Sequence, residues 1–440
     1  MRRLVLLLVA GAGACARTPG PAPVTAAEIP GLVAQAQQHP QDAAVQFRLA
    51  AGLAASDRCD SAVVVAGTAA HLEPDNVLGP LIIGACQERA ERYDQAVATY
   101  NDFAAQHPHA RGVAALRAKA QLALRTAAEH TALRALAHEA ELAQQLPRAA
   151  TVAVLPLVIA GDSSVQPLSR GLAELITTDL AYIRRLHLLE RLQIGVLVDE
   201  LKLGASERVD PATAARVGRL LRAERMVQGT ATIPSGGEVQ LSASVVTGTG
   251  IVRPVGQVKG PFTKLLELEK QVVFDLAAQL GIELTQAERE QILRQGPKSL
   301  VAFLAYSRGL EALDRGDYGA AARNFGAAAQ ADPSFQAAQQ GQQAAVAAPT
   351  VEQSTGGGLV TVVDAVEPIS GGAEPVSVGG AGGLLSSGTR DVAPIAGDAI
   401  AAAGLPTGTT ILDRRVTPEV LGLPSIISVT NGIVIIFKRP

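Results

Sequence analysis

Few side chains in this 440-residue chain combine type and spacing into chemistry. Cys15, Cys59 and Cys86 are the only cysteines, and none stands in a CxxC or Cys/His pattern that would hold zinc. His107 and His109 flank Pro108, while His130 and His138 share a helical stretch; both pairs read as surface residues rather than metal ligands. Thr177, Thr178 and Asp179 fall mid-helix beside an apolar stripe and are expected to face water. Glu190 and Arg191 mark a strand-to-helix junction, where a cap or a local ion pair is expected. No Walker loop, HExxH or GxSxG motif occurs, and "GTG" at 248–250 lacks the third glycine of a dinucleotide fingerprint. No nucleophile has a base beside it, so the expectation is a non-enzymatic protein with no catalytic residue, cofactor or metal.

The composition narrows the partners. A formal net charge of −3 gives no basic field for nucleic acid, and 3% aromatics with no Trp leaves no stacking platform. The 48% hydrophobic content can fill real cores, and much of it is alanine, which favours close helix packing.

The one modification the sequence suggests is at the start. In "MRRLVLLLVAGAGAC", Arg2 and Arg3 precede a short apolar run and small residues, the layout of a secretory signal. The stretch "AGAC" at 12–15 resembles the lipobox of bacterial lipoproteins, with Ala12 where Leu is preferred. That resemblance implies cleavage before Cys15 and a lipid anchor on its sulfur. Ala16 after the cysteine implies sorting to the outer membrane, facing the periplasm. Plain secretion after an Ala-x-Ala-like site is the alternative. Residues 1–14 thus read as signal and 15–28 as a flexible tether.

Residues 29–147 carry a period. Pro40, Pro74 and Pro108 are 34 residues apart, the length of a tetratricopeptide repeat. Gly84, Tyr93, Ala96, Tyr100 and Pro108 fall on that family's small, aromatic and proline positions. Another copy lies at 299–340, where Gly309, Gly316, Tyr318, Ala321, Phe325, Ala328 and Pro333 match. A lone repeat cannot bury both faces, so it must pack on the preceding domain or on a partner. The resemblance makes the repeat surface, with Tyr93, Tyr100, Tyr318 and Phe325, the expected protein-binding face. Cys59 and Cys86 lie in neighbouring helices of such a stack, where a disulfide or two small buried side chains are both open readings.

Between 150 and 295 the periodicity alternates between strand and helix. "TVAVLPLVI" reads as a buried strand, and Leu168, Leu172, Leu175, Ile176 and Ile183 form one helical face. Asp210 and Pro211 open a helix as N-cap and first residue. Val239, Leu241, Ala243 and Val245 alternate with polar residues, a half-buried strand that can pair with 251–258. Leu265, Leu268, Val272, Leu276 and Leu280 line another helix. The expectation is a three-layer α/β domain with a mixed sheet inside a multidomain α and α/β chain.

The ordered segments "VAVLPL", "GLAELITTDL", "LLERLQIGVLVDEL", "VDPATAARVGRLLRAERMVQGTAT", "LSASVVTGTG" and "LEKQVVFDLAAQLGI", over roughly 150–290, resemble the curli production assembly/transport (CsgG-like) family. In that family Leu189-Glu190-Arg191 and Gly229-Thr230 would be structural landmarks. Its pore-forming members insert long amphipathic hairpins into a shared β-barrel. Here "IAGDSSVQPLS" is too short for such a hairpin, and the pair at 238–258 is needed by the sheet. The resemblance therefore implies an outer-membrane lipoprotein that scaffolds envelope or secretion proteins and can form homo-oligomers. The alternatives are an oligomeric curli-type channel and, on a looser likeness, an activator of penicillin-binding proteins. Residues 341–440 read as a low-complexity tail, ending in a hairpin about Asn431-Gly432.

Overall fold

A computed structural model describes residues 23–234 and 238–354, together with the backbone of 426–430 and 433–436. Cys15 and the signal segment lie outside the described residues, as does most of the tail. A flexible tether was expected over 15–28, but 23–28 are ordered against the first helices. Val24 is buried, and Thr25 and Glu28 close a capping box on a 3-10 turn at Ala26–Glu28, because an apolar residue just before a helix gains by packing on it.

Helices α1 (Ile29–Gln38), α2 (Ala43–Ala55), α3 (Cys59–Leu72), α4 (Leu78–Arg89), α5 (Tyr93–Gln106) and α6 (Val113–Ala137) pack each against the next as helical repeats, before a single turn, α7 (Glu139–Leu142). Alanines set the spacing: Ala50, Ala51, Ala62, Ala66 and Ala96 are wholly buried. Tyr100 fills the gap opposite Gly84, where a Cβ would come 2.2 Å from the ring. Tyr100 is itself fully buried, which corrects its expected surface role. Cys59 and Cys86 are joined in a disulfide, with Cα atoms 5.4 Å apart.

The α/β domain follows. Strands β1 (Arg148–Val154) and β2 (Val158–Gly161) arise from what reads as one run. Pro156 has no N–H to donate, and the ladder breaks there, although both strands pair parallel to the same neighbour. The chain continues through α8 (Leu168–Ala181), β3 (His187–Leu188), α9 (Arg191–Glu200), α10 (Ala205–Arg208) and α11 (Pro211–Leu221). Asp210 caps α11 by accepting from the Thr213 amide at 2.9 Å. Strands β4 (Ala223–Ile233), β5 (Glu238–Thr247) and β6 (Val252–Pro261) complete a mixed sheet of order β3-β1-β4-β5-β6. Alternation on β5 sends Val239, Leu241 and Val245 to one face, with α8 and α12 (Leu265–Gln279). Met226 and Val246 face the other way, toward α9, α11 and the end of α6. This is the expected three-layer arrangement.

After α13 (Gln286–Arg294) the chain returns to helical repeats, α14 (Leu300–Asp314), α15 (Tyr318–Ala331) and α16 (Gln336–Gln353). Gly84, Tyr93, Ala96, Tyr100 and Pro108 recur 225 residues later as Gly309, Tyr318, Ala321, Phe325 and Pro333. The packing recurs too: a Cβ on Gly309 would lie 2.4 Å from the Phe325 ring, which is buried and so corrects its expected place on the repeat surface. The tail was expected from 341, but Ala344, Ala345, Ala347, Ala348 and Val351 are buried, and α16 packs on α6 and α15. A stripe of small residues looks featureless in composition, yet it permits close approach to the alanines of α6. The other side of the returning repeat is covered by α8, with Phe303 and Leu304 entering the α/β core. Strands β7 (Ile426–Thr430) and β8 (Ile433–Ile436) pair antiparallel about positions 431–432.

Candidate functional site

All three parts of the protein meet where α9 begins. Arg191 is 7% exposed and donates from Nη1 and Nη2 to Asp314 at 2.7 and 2.9 Å, and from Nε to Glu174 at 3.0 Å. Asp314, at the end of α14, also accepts from Arg170 Nε at 2.7 Å. Arg170 in turn lies 3.4 Å from Asp199. The clamp joins α8 and α9 of the α/β domain to the returning repeat. The local pair expected of Glu190-Arg191 is thus corrected: Arg191 reaches 123 residues along the chain. The reason is the docking of α14 on α8, which brings a carboxylate to a guanidinium already held away from water.

Next to this clamp is a cavity of about 370 Å³, walled by α5, α6, α8, α14, α15, α16 and the start of α9. Glu190 and Glu174 supply carboxylates to it; Arg117 and Gln121 come from α6, and Leu192 and Leu310 are among its apolar walls. Burial, and the carboxylate of Glu174 beside it, push the Glu190 carboxyl above its ordinary value. Burial lowers Arg117 from its ordinary value. Tyr306 closes one side, and burial raises its phenol.

Other residues of α6 line a larger groove of about 770 Å³. Tyr93 and Tyr318, at equivalent positions of the two repeats, both line it, over a floor that includes Leu122 and Val351. Lys119 pairs with Glu88 at 3.0 Å and Arg125 with Glu129 at 3.0 Å along its walls. Tyr93 also stacks at a tilt on His130, with ring centres 5.2 Å apart. Of the four aromatic residues expected at a binding surface, the groove brings Tyr93 and Tyr318 together. Tyr100 stays in the core, and Phe325, also buried, lines the smaller cavity instead.

A third cluster is sealed inside the α/β domain. Asp179 was expected to face water; it is 1% exposed and ion-paired with Lys270. Packing of both α12 and α14 on α8 leaves that helix little outer face, while Thr178 does reach solvent. Glu269 is fully buried, its carboxylate 3.5 Å from the same ammonium and without a hydrogen bond. Burial first, then the neighbouring Asp179 carboxylate, pushes Glu269 up to about 8. Burial also raises Asp179, to about 6, against the pull of Lys270. Lys270, Glu269, Asp314 and Arg170 escaped the reading of the sequence. An acidic or basic residue within a helical pattern normally signals a solvated face, and no local spacing distinguishes these. The histidines fall elsewhere: His107 meets Asp75 at 2.8 Å and His138 meets Glu141 at 3.3 Å.

Residues 147–233, from β1 through β4, match the family of the curli production assembly/transport component CsgG. The chain carries a CsgG-like domain. The match stops short of β5, β6 and α12, which complete the sheet and its core, and it leaves the repeats outside. No curated protein and no solved structure matches the chain. No helix among the described residues is long and apolar enough to cross a membrane.

Proposed function

We propose that this protein is a non-enzymatic scaffold of envelope assembly or secretion, anchored in the outer membrane through a lipid on Cys15 and facing the periplasm. In this reading the CsgG-like domain is the rigid body, and the repeats hold a segment of a partner protein. The groove carries the proposal: repeats lying on either side of the CsgG-like domain in sequence present Tyr93 and Tyr318 to one concavity. Half-buried tyrosines flanked by charge pairs suit a peptide, since each offers apolar area and a polar tip. Both side chains are only partly covered, so their removal leaves the core in place.

The channel alternative receives less support. A barrel-forming strand needs roughly nine to eleven residues alternating toward lipid. The ten-residue β5 is paired on both sides, with β4 and β6, and β6 is joined to β5 along most of its length. Between β2 and α8 there is only a short connection containing a 3-10 turn at Ser163–Val165.

The test places a photocrosslinking amino acid at Tyr93 or Tyr318 in the native host. A discrete adduct with an envelope protein is expected, competed away by the wild-type protein and lost when Cys15→Ser frees the protein from the membrane. Absence of any adduct at both positions would overturn the scaffold reading. Large rings with single-channel conductance in planar bilayers would replace it by the channel.

A further inference from the structure

The cavity at the start of α9 is separate from the tyrosine groove and is built differently. Its acidic wall holds a carboxylate that the protein leaves unused. Glu190 stands at the N-cap position of α9, yet its side chain caps nothing. Among the described residues it accepts no hydrogen bond and enters no ion pair within 4 Å. Arg191, the nearest cation in sequence, attracts it but gives it no hydrogen bond, since Nε, Nη1 and Nη2 donate to Glu174 and Asp314. The α6 wall holds the opposite charge. Arg117 donates only to neutral acceptors, Gln343 at 2.7 Å and the carbonyl of Pro108 at 3.5 Å. The cavity thus carries an unpaired carboxylate and a guanidinium with no anionic partner, beside the apolar side chains of Leu192 and Leu310.

Glu190 is solvent-exposed and Arg117 half-buried, so a ligand can reach both, and a pocket at a domain junction with a few convergent polar groups is where ligands lodge. We propose that this cavity binds a small zwitterion of amino-acid or dipeptide size. Its ammonium faces Glu190 and Glu174, its carboxylate faces Arg117, and its carbon body rests on the leucines. A volume of about 370 Å³ suits that size and excludes a folded partner. Since the cavity is walled by repeats and α/β domain alike, an occupant would tie the three parts together.

Calorimetric titration of the full chain with Ala-Ala and with arginine tests this. Two further probes each remove one charge: N-acetyl-Ala-Ala lacks the ammonium, and agmatine lacks the carboxylate of arginine. Saturable binding of both zwitterions is expected, with each clipped probe at least about tenfold weaker, as loss of one charge-assisted hydrogen bond implies. Glu190→Gln should weaken Ala-Ala by a similar factor while leaving its relative preference for a free carboxylate. Arg117→Lys should leave the ammonium preference and erode the other. Equal binding of clipped and intact probes by the wild-type protein would overturn the proposal, as would no saturable binding of either zwitterion. Those titrations use no partner protein, so their failure leaves the scaffold reading standing, and a failed crosslink leaves this one standing.

Discussion

Replacing Asp314 by alanine should do more damage than any other single change at the domain junction. The carboxylate is 9% exposed and meets three donors: Arg191 Nη1 and Nη2, and Arg170 Nε. Its loss leaves Arg191 buried with one remaining hydrogen bond, to Glu174. Stranding one member of a buried pair costs about 3–5 kcal/mol. Arg170 can still turn to Asp199, and Glu174 still holds Nε, so the lower end applies, about 3 kcal/mol. This corresponds to roughly a hundredfold change in a local opening equilibrium. A chain of several parts does not unfold in two states, so one global midpoint is the wrong readout. Amide hydrogen exchange followed by mass spectrometry reads α14 and α9 separately. Protection of both should fall by about a hundredfold in Asp314→Ala, with α2 and α3 unchanged. The double variant Arg191→Met with Asp314→Leu should regain most of it, because a well-packed apolar pair replaces a buried ion pair at little cost. A loss below about fivefold in the single variant, or no recovery in the double, would refute the clamp.

Three further outcomes follow from other features. Glu269 and Asp179 have folded pKa values above their ordinary ones, so the native state holds protons that the unfolded chain releases; stability is greatest below about pH 4.5 in this respect and declines as pH rises toward 8. Urea midpoints of the α/β domain should show that decline, and Glu269→Gln should flatten it. Reduction of Cys59–Cys86, or Cys59→Ser with Cys86→Ser, removes a cross-link closing 27 residues of chain and should cost about 2–4 kcal/mol, visible as a lower first thermal transition with reductant. Gly84→Ala drives a Cβ into the Tyr100 ring and should cost about 1–3 kcal/mol, whereas Gly31→Ala, with open space around it, should not; paired melting curves separate the two.

What the sequence could convey was what short-range spacing encodes. The small–aromatic pairing of Gly84 and Tyr100 helped locate the repeats because those residues meet within one helix pair. The period-two pattern of β5 and the cap at Asp210 were equally local. The clamp was hidden because Arg191 and Asp314 are 123 residues apart, and Asp179 and Lys270 are 91 apart. Nothing next to either carboxylate marks it as buried; only the docking of α12 and α14 on α8 does. The tyrosine groove was half legible for the same reason. Repeat spacing picked out four aromatics, but whether a ring faces its own glycine or open space depends on its place in the helix pair. Helix α16 was read as tail since its alanines carry no amphipathic contrast until α6 supplies the opposing surface.

The contact between α6 and α16 also makes the CsgG-like domain an insertion within one helical stack. Synthesis delivers α6, with Ala115 and Ala118 ready for α16, long before Ala347, Ala348 and Val351 exist to cover them. The intervening domain must fold first and bring its own end back to its beginning, a closure over long sequence separation that is slow by nature. Until then the first repeats present an alanine seam to whatever is nearby, and a chain that stops anywhere before Gln336 keeps that seam open.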